Sequence, residues 1–134
     1  MKITDYFEVV STNDRVVYVR LKGFWTDALV AQISTQFLKQ FNEAVDSMRG
    51  KRFLTLADLT ELKPPSEKTK ESIAQAMRYA KDHNLYKTVE VMPSAVTRIA
   101  VRQAAEETGN DDFRVVVSSV DDGWAEISKM KRFL

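Results

Sequence analysis

Cysteine is absent from this 134-residue chain, histidine occurs once, proline three times and glycine four times. Without a thiol there is no disulfide, no thiolate metal site and no cysteine nucleophile. With so few glycines a phosphate-cradling loop is hard to build, and the sequence carries no G-x-G-x-x-G, no Walker-type loop and no G-x-S-x-G elbow. His83, in AKDHNLYK, has no second ligand type beside it. It follows a helical stretch, where a cation is favoured by the helix dipole, so it reads as structural. Asp111-Asp112 and Asp121-Asp122 read as a turn and a helix start rather than as a magnesium site. Catalytic residues, metal ligands and cofactor motifs are therefore not expected, and the chain is read as a non-enzyme.

No apolar run approaches the ~20 residues that span a bilayer. The opening MKITDYFEVV lacks the apolar core and cleavage site of a secretory signal, so a cytoplasmic protein is the expectation. Twenty Lys and Arg oppose nineteen Asp and Glu, for a formal net charge of +1. That balance argues against a nucleic-acid surface, which needs concentrated positive charge. Lys129-Met130-Lys131-Arg132 is short enough to be a solvated helix end.

What is present is a folded composition, 44% hydrophobic and 29% charged, consistent with one domain over residues 1–134. Tyr6 to Val10 is a short apolar run, the turn formers Ser11 to Asp14 follow, and RVVYVRLKG reads as a second strand, so the two predict a hairpin. In that second strand Val17, Val19 and Leu21 share one face, while Val16, Tyr18 and Arg20 share the other. Thr26 or Asp27 caps a helix of about 22 residues whose stripe is Val30, Ile33, Phe37, Phe41, Val45 and Met48. RFLTLADL is then a buried strand, and Ser66 to Asp82 a helix with Ile73, Met77 and Ala80 inward. KTVEVM is a strand, and Ser94 to Thr108 a helix with Val96, Ile99 and Ala100 inward, stopped at Gly109-Asn110. FRVVVSS is the last strand, and Ser119 opens a helix carrying Trp124 and Ile127. The order β-β-α-β-α-β-α-β-α predicts an α/β fold, a mixed, mostly parallel sheet covered by helices.

Strand-to-helix loops of such a sheet gather at the carboxyl ends of its parallel strands, where ligands and partners bind. Those loops hold GFWTD, TELKPPSEK, MPS and SSVDD. Thr26, Ser66, Ser94 and Ser119 fall at helix N-termini, each a cap and together a place receptive to phosphate. Phe24, Trp25, Pro64 and Pro65 lie beside them. The two aromatics either fold back over the core or stand exposed as a protein-contact patch. In KPPSEK the prolines force an extended entry and Ser66 starts the helix.

Two stretches carry a resemblance: VVYVRLKGFWT, a strand ending in glycine before the first long helix, and FLTLADLTEL, a hydrophobic strand with Asp-Leu-Thr near its end. Together with the element order from about Tyr6 to Phe133, they resemble the STAS domains of the anti-sigma-factor antagonist (SpoIIAA-like) family. The resemblance implies a SpoIIAA-like fold and a regulatory protein-interaction role. It also implies a serine or threonine, at the start of the helix after that strand, phosphorylated by a partner kinase. Asp58-Leu59-Thr60 stands where the family has Asp-Leu-Ser, and Ser66, then Thr69, is nearest the phosphoacceptor position. The family's Asp-Ser-(Ser/Thr)-Gly pattern is missing around Ser66. In this the chain is more similar to stand-alone SpoIIAA-like proteins, whose fold resembles the lipid-carrying Sec14 type. That implies an alternative, a binder of a small apolar or phosphorylated ligand. For the protein-interaction role, Phe24, Trp25, Asp58, Thr60, Lys63, Pro64, Pro65 and Ser94 are the candidate contact residues. An edge strand at Tyr6 to Val10 leaves room for a homodimer.

Overall fold

A computed structural model describes residues 2–134. The elements are β1 (Phe7–Ser11), β2 (Val16–Gly23), α1 (Val30–Asp46), β3 (Phe53–Leu62), α2 (Glu67–Asp82), β4 (Leu85–Val91), α3 (Ala95–Thr108), β5 (Arg114–Val117) and α4 (Val120–Met130). Short 3₁₀ turns cover Ile3–Asp5, Asp111–Phe113 and Lys131–Phe133. The five strands lie in sequence order, β1-β2-β3-β4-β5. Only the β1–β2 pair is antiparallel, so the expected mixed sheet is what forms.

The layering follows from handedness. Three successive right-handed crossovers that always advance to the next strand must place their helices on one face of the sheet. The main core accordingly joins Val17, Val19 and Leu21 of β2 to Ile33, Phe37 and Phe41 of α1, Ile73 and Ala76 of α2, and Val101 and Ala104 of α3. The alternate residues Val16, Leu54, Leu56, Val89 and Val91 point to the opposite face, where Ile127 of α4 covers them. The two faces of β2 sort as the alternation predicted. The α4 helix packs against β3, β4 and β5, so β1 and half of β2 have no helix on that side.

Several boundaries differ from the sequence expectation. The first long helix begins at Val30 and runs 17 residues, not about 22, and neither Thr26 nor Asp27 caps it with a side chain. Instead the Thr26 carbonyl accepts from the N–H groups of Leu29 and Val30, closing a turn ahead of the helix. The stripe itself is as expected, with Val30, Ile33, Phe37, Phe41, Val45 and Met48 all buried. The other three helices start where their serines predicted, because Ser66, Ser94 and Ser119 each accept a backbone N–H three residues on.

The α3 helix is the clear correction. Val96 and Ile99, expected inward, are 58% and 60% exposed, and the buried stripe is Thr97, Val101, Ala104, Ala105 and Thr108. Its apolar residues are scattered around the helix. The face that docks is the one whose alanines allow close approach, and the Thr108 hydroxyl is satisfied internally by the carbonyls of Ala104 and Ala105.

Candidate functional site

The carboxyl edge of the sheet is where α1, α2, α3 and α4 begin, so the loops after β2, β3, β4 and β5 lie along it. Gly23 leaves β2 with φ +67°, a left-handed turn that favours glycine. Its carbonyl accepts from the Lys63 N–H at 3.1 Å, which ties the first loop to the second. In the second loop Lys63 and Pro64 are exposed, and Pro65 and Ser66 are half-buried. The Ser66 hydroxyl accepts from the Thr69 N–H at 3.3 Å and lies 3.2 Å from the Thr69 hydroxyl.

Two of these helices are fixed side by side at this end. The Lys70 ammonium donates to Glu67 at 3.1 Å and to the Gln103 side-chain oxygen at 2.8 Å, bridging α2 and α3. Both helices run away from the edge. One turn before the bridging residues stand Ser66 on the α2 side and Ile99 on α3, with Val96 a further turn toward the edge. This end of the two helices thus carries a half-buried serine hydroxyl at the N-terminus of α2 and two exposed branched apolar side chains on the first two turns of α3. Ser94, at the start of α3, is exposed as well. Farther along the edge Phe24 is 44% exposed.

Two of the predicted contact residues, Trp25 and Asp58, and one of the two candidate phosphoacceptors, Thr69, do not reach this surface. Trp25 is 1% exposed and meets the Phe37 ring edge-on at 5.9 Å, so of the two readings of this ring the core one holds. Thr69 is 1% exposed, which removes its hydroxyl as an accessible phosphoacceptor. Asp58 is 4% exposed and belongs to the opposite face of the sheet. Its carboxylate accepts from the Thr60 N–H and hydroxyl at 3.0 and 2.7 Å and from Tyr18 at 3.3 Å, with the Arg20 guanidinium 3.8 Å away. Burial, then the Asp58 charge, pushes the Tyr18 hydroxyl above its ordinary pKa. Trp124, 37% exposed, stacks on the Tyr18 ring at 5.9 Å. Asp58 thus shapes the end of β3, while Thr60 is exposed beside it. Val96 and Ile99 are the surface residues that sequence reasoning missed. The signal was their placement off the Thr97–Val101–Ala104–Thr108 spacing.

Between the sheet and the three helices lies a cavity of about 60 Å³, lined by Phe37, Phe41, Ile73, Met77 and Val101 with Glu90 and Asn110. This is where a small apolar ligand would sit. Its volume is far below the roughly 300 Å³ at which small-molecule sites begin. Glu90 reaches Arg114 at 2.5 Å, and burial still raises its carboxyl above the ordinary range against the pull of that guanidinium. Among the described residues no group of three or more acidic, His or Cys side chains is placed to hold a metal, and no helix is long and apolar enough to cross a membrane. His83 packs on Tyr79, with ring centroids 4.0 Å apart and Nδ1 2.7 Å from the Tyr79 carbonyl.

No protein-family model matches the chain, and no curated protein matches it in sequence. Solved structures do match its fold. The anti-sigma factor antagonist SpoIIAA in its unphosphorylated form superposes with a TM-score of 0.57 over 92% of this chain and 96% of that one, at 14% identity. An anti-sigma factor antagonist from Mycobacterium paratuberculosis gives 0.54 over 92% and 96%, at 15% identity. The protein TM1081 gives 0.58 over 90% and 87%, at 12% identity. The chain therefore has the SpoIIAA-like α/β fold that VVYVRLKGFWT and FLTLADLTEL suggested.

Proposed function

We propose that this protein is a non-catalytic regulatory domain that contacts a protein partner through the carboxyl edge of its sheet. The observation that carries the proposal is the exposed pair Val96 and Ile99 on the first two turns of α3, at the same edge of the sheet as Ser66. Branched side chains 58% and 60% exposed on a helix cost solvation that the fold does not recover, and a partner surface would recover it. The similarity of fold to anti-sigma factor antagonists supports the same class of role. Phe24, Thr60, Lys63, Pro64, Pro65 and Ser94 extend the surface.

Ser66 is the candidate gate. A phosphoryl group there would break the cap to Thr69 but sit at the positive end of α2, with exposed Lys63 and Lys68 close in sequence. The added charge would turn an apolar contact zone anionic. The family resemblance points the same way, and SpoIIAA is itself a protein with a distinct unphosphorylated form. The cavity between the sheet and the helices is too small to favour the small apolar ligand alternative.

The test is capture from lysate of the source cells with wild type, Val96→Asp/Ile99→Asp and Ser66→Glu, alongside intact-mass analysis after incubation with ATP. The double variant should lose the partner while keeping its melting temperature within about 2 °C, as exposed substitutions do. Ser66→Glu should change capture, and a single phosphoryl mass should map to Ser66. Capture unaffected by the double variant would refute the surface. An unmodified Ser66 would remove the gate and leave the surface standing.

A further inference from the structure

The first strand ends the sheet, and no strand pairs with its free side. The Lys22 N–H donates to the Tyr6 carbonyl and the Thr12 N–H to the Val16 carbonyl, both at 2.9 Å. With Glu8 opposite Arg20 and Val10 opposite Tyr18, the even-numbered residues bond inward to β2. The N–H and C=O groups of Phe7, Val9 and Ser11 therefore point away from the sheet. Three of the usual protections of an edge, lysine, proline and a bulge, are missing from this strand. FEVVS contains no lysine or proline, and the β1–β2 register has no bulge, the irregularities lying in the β2–β3 and β3–β4 pairs.

Beside this edge runs a groove of about 390 Å³ between β1 and α1, lined by Val9, Ser11, Gln40, Glu43 and Ala44. A strand laid along β1 would alternate its side chains between this groove and the opposite face of the sheet. Glu43 is the ionisable residue of the groove, is exposed, and takes part in no ion pair among the described residues. The floor offers Val9 and Ala44 to the aliphatic stem of a long basic side chain. A second copy of this strand fits poorly, because the charge it carries is Glu8, already paired with Lys22 at 3.3 Å, and it brings no cation to Glu43.

We propose that the free edge of β1 and the groove beside α1 form a docking site for an extended peptide segment that carries a basic side chain between apolar ones. Backbone hydrogen bonds to Phe7, Val9 and Ser11 hold the segment as a sixth strand, and Glu43 selects the cation. This site is independent of the carboxyl-edge surface and does not rest on the Ser66 gate.

The test uses the ¹⁵N-labelled full chain and two capped hexapeptides, one alternating valine with lysine and one alternating valine with glutamate. The lysine peptide should shift the amides of Phe7, Val9, Ser11 and Glu43 and slow hydrogen exchange at the three outward N–H groups. The glutamate peptide should bind about fivefold or more weakly, and Glu43→Lys, an exposed change that leaves the remaining spectrum in place, should invert the preference. Equal binding of both peptides, or shifts confined to other surfaces, would overturn the proposal. So would the same β1 shifts appearing with protein concentration alone, since a second copy would then be the occupant.

Discussion

Trp25 offers the sharpest test of the tertiary assignment, because truncating a core ring costs several times more stability than truncating a surface ring. Its side chain is 1% exposed and packs on Phe37 at 5.9 Å, which itself packs on Phe7 at 5.6 Å. Removing a buried aromatic costs about 3–5 kcal/mol. The indole Nε1–H, however, is buried without a partner, a burden of about 1–3 kcal/mol that the variant sheds. Trp25→Ala should therefore fall near the lower end, about 3 kcal/mol. For 134 residues at about 2.1 cal/mol/K of unfolding entropy each, this is a drop of roughly 11 °C in Tm. Trp25→Phe keeps the ring contact and removes the orphaned N–H, so it should cost less than about 1.5 kcal/mol. Urea unfolding followed by far-UV circular dichroism measures both, the midpoint moving at constant slope. A loss below about 1 kcal/mol for Trp25→Ala would refute the core placement. A phenylalanine variant as damaged as the alanine would refute the account of the N–H.

Two further predictions concern the interior. Burial raises the Glu90 carboxyl above its ordinary 4.5, so the folded state holds a proton that the unfolded chain releases. That contribution is fully present below pH 4.5 and is lost as pH rises through the folded value. The urea midpoint should fall across that interval in wild type and stay flatter in Glu90→Gln. At Gly123, an added Cβ would stand 3.0 Å from both Leu56 Cδ1 and Val91 Cγ2. Gly123→Leu should lift α4 from the sheet, costing more than about 2 kcal/mol and shifting Trp124 fluorescence as its stack on Tyr18 opens. An unchanged midpoint and spectrum would show that α4 has room to spare.

Element types and their order were legible because they rest on local patterns. Turn formers between two β-branched runs made the hairpin, a three–four stripe made α1, and a serine before each later amphipathic run marked a helix start. These are decided within a few residues, by backbone donors that need partners and by faces that need burial. The candidate site was legible in its location and partly misread in its members. Loops after parallel strands must meet at one edge, whichever residues they carry, and Ser66 and Pro64 fall there by chain order alone.

Which side chains face water was decided by packing. Trp25 and Thr69 look like loop and first-turn residues in sequence, yet the docking of α1 and α2 onto the sheet closes over both. Val96 and Ile99 look like core, yet α3 turns them outward. Ala104 and Ala105 let its other face approach more closely, and the buried Thr108 hydroxyl on that face bonds back to its own helix. The free edge of β1 likewise exists only because the strands assemble in order, leaving the first of them at the rim. Local chemistry by itself set what each segment of this chain becomes. Burial is a property of pairs of segments, and so only the assembled structure determined which of its residues remain available to a partner.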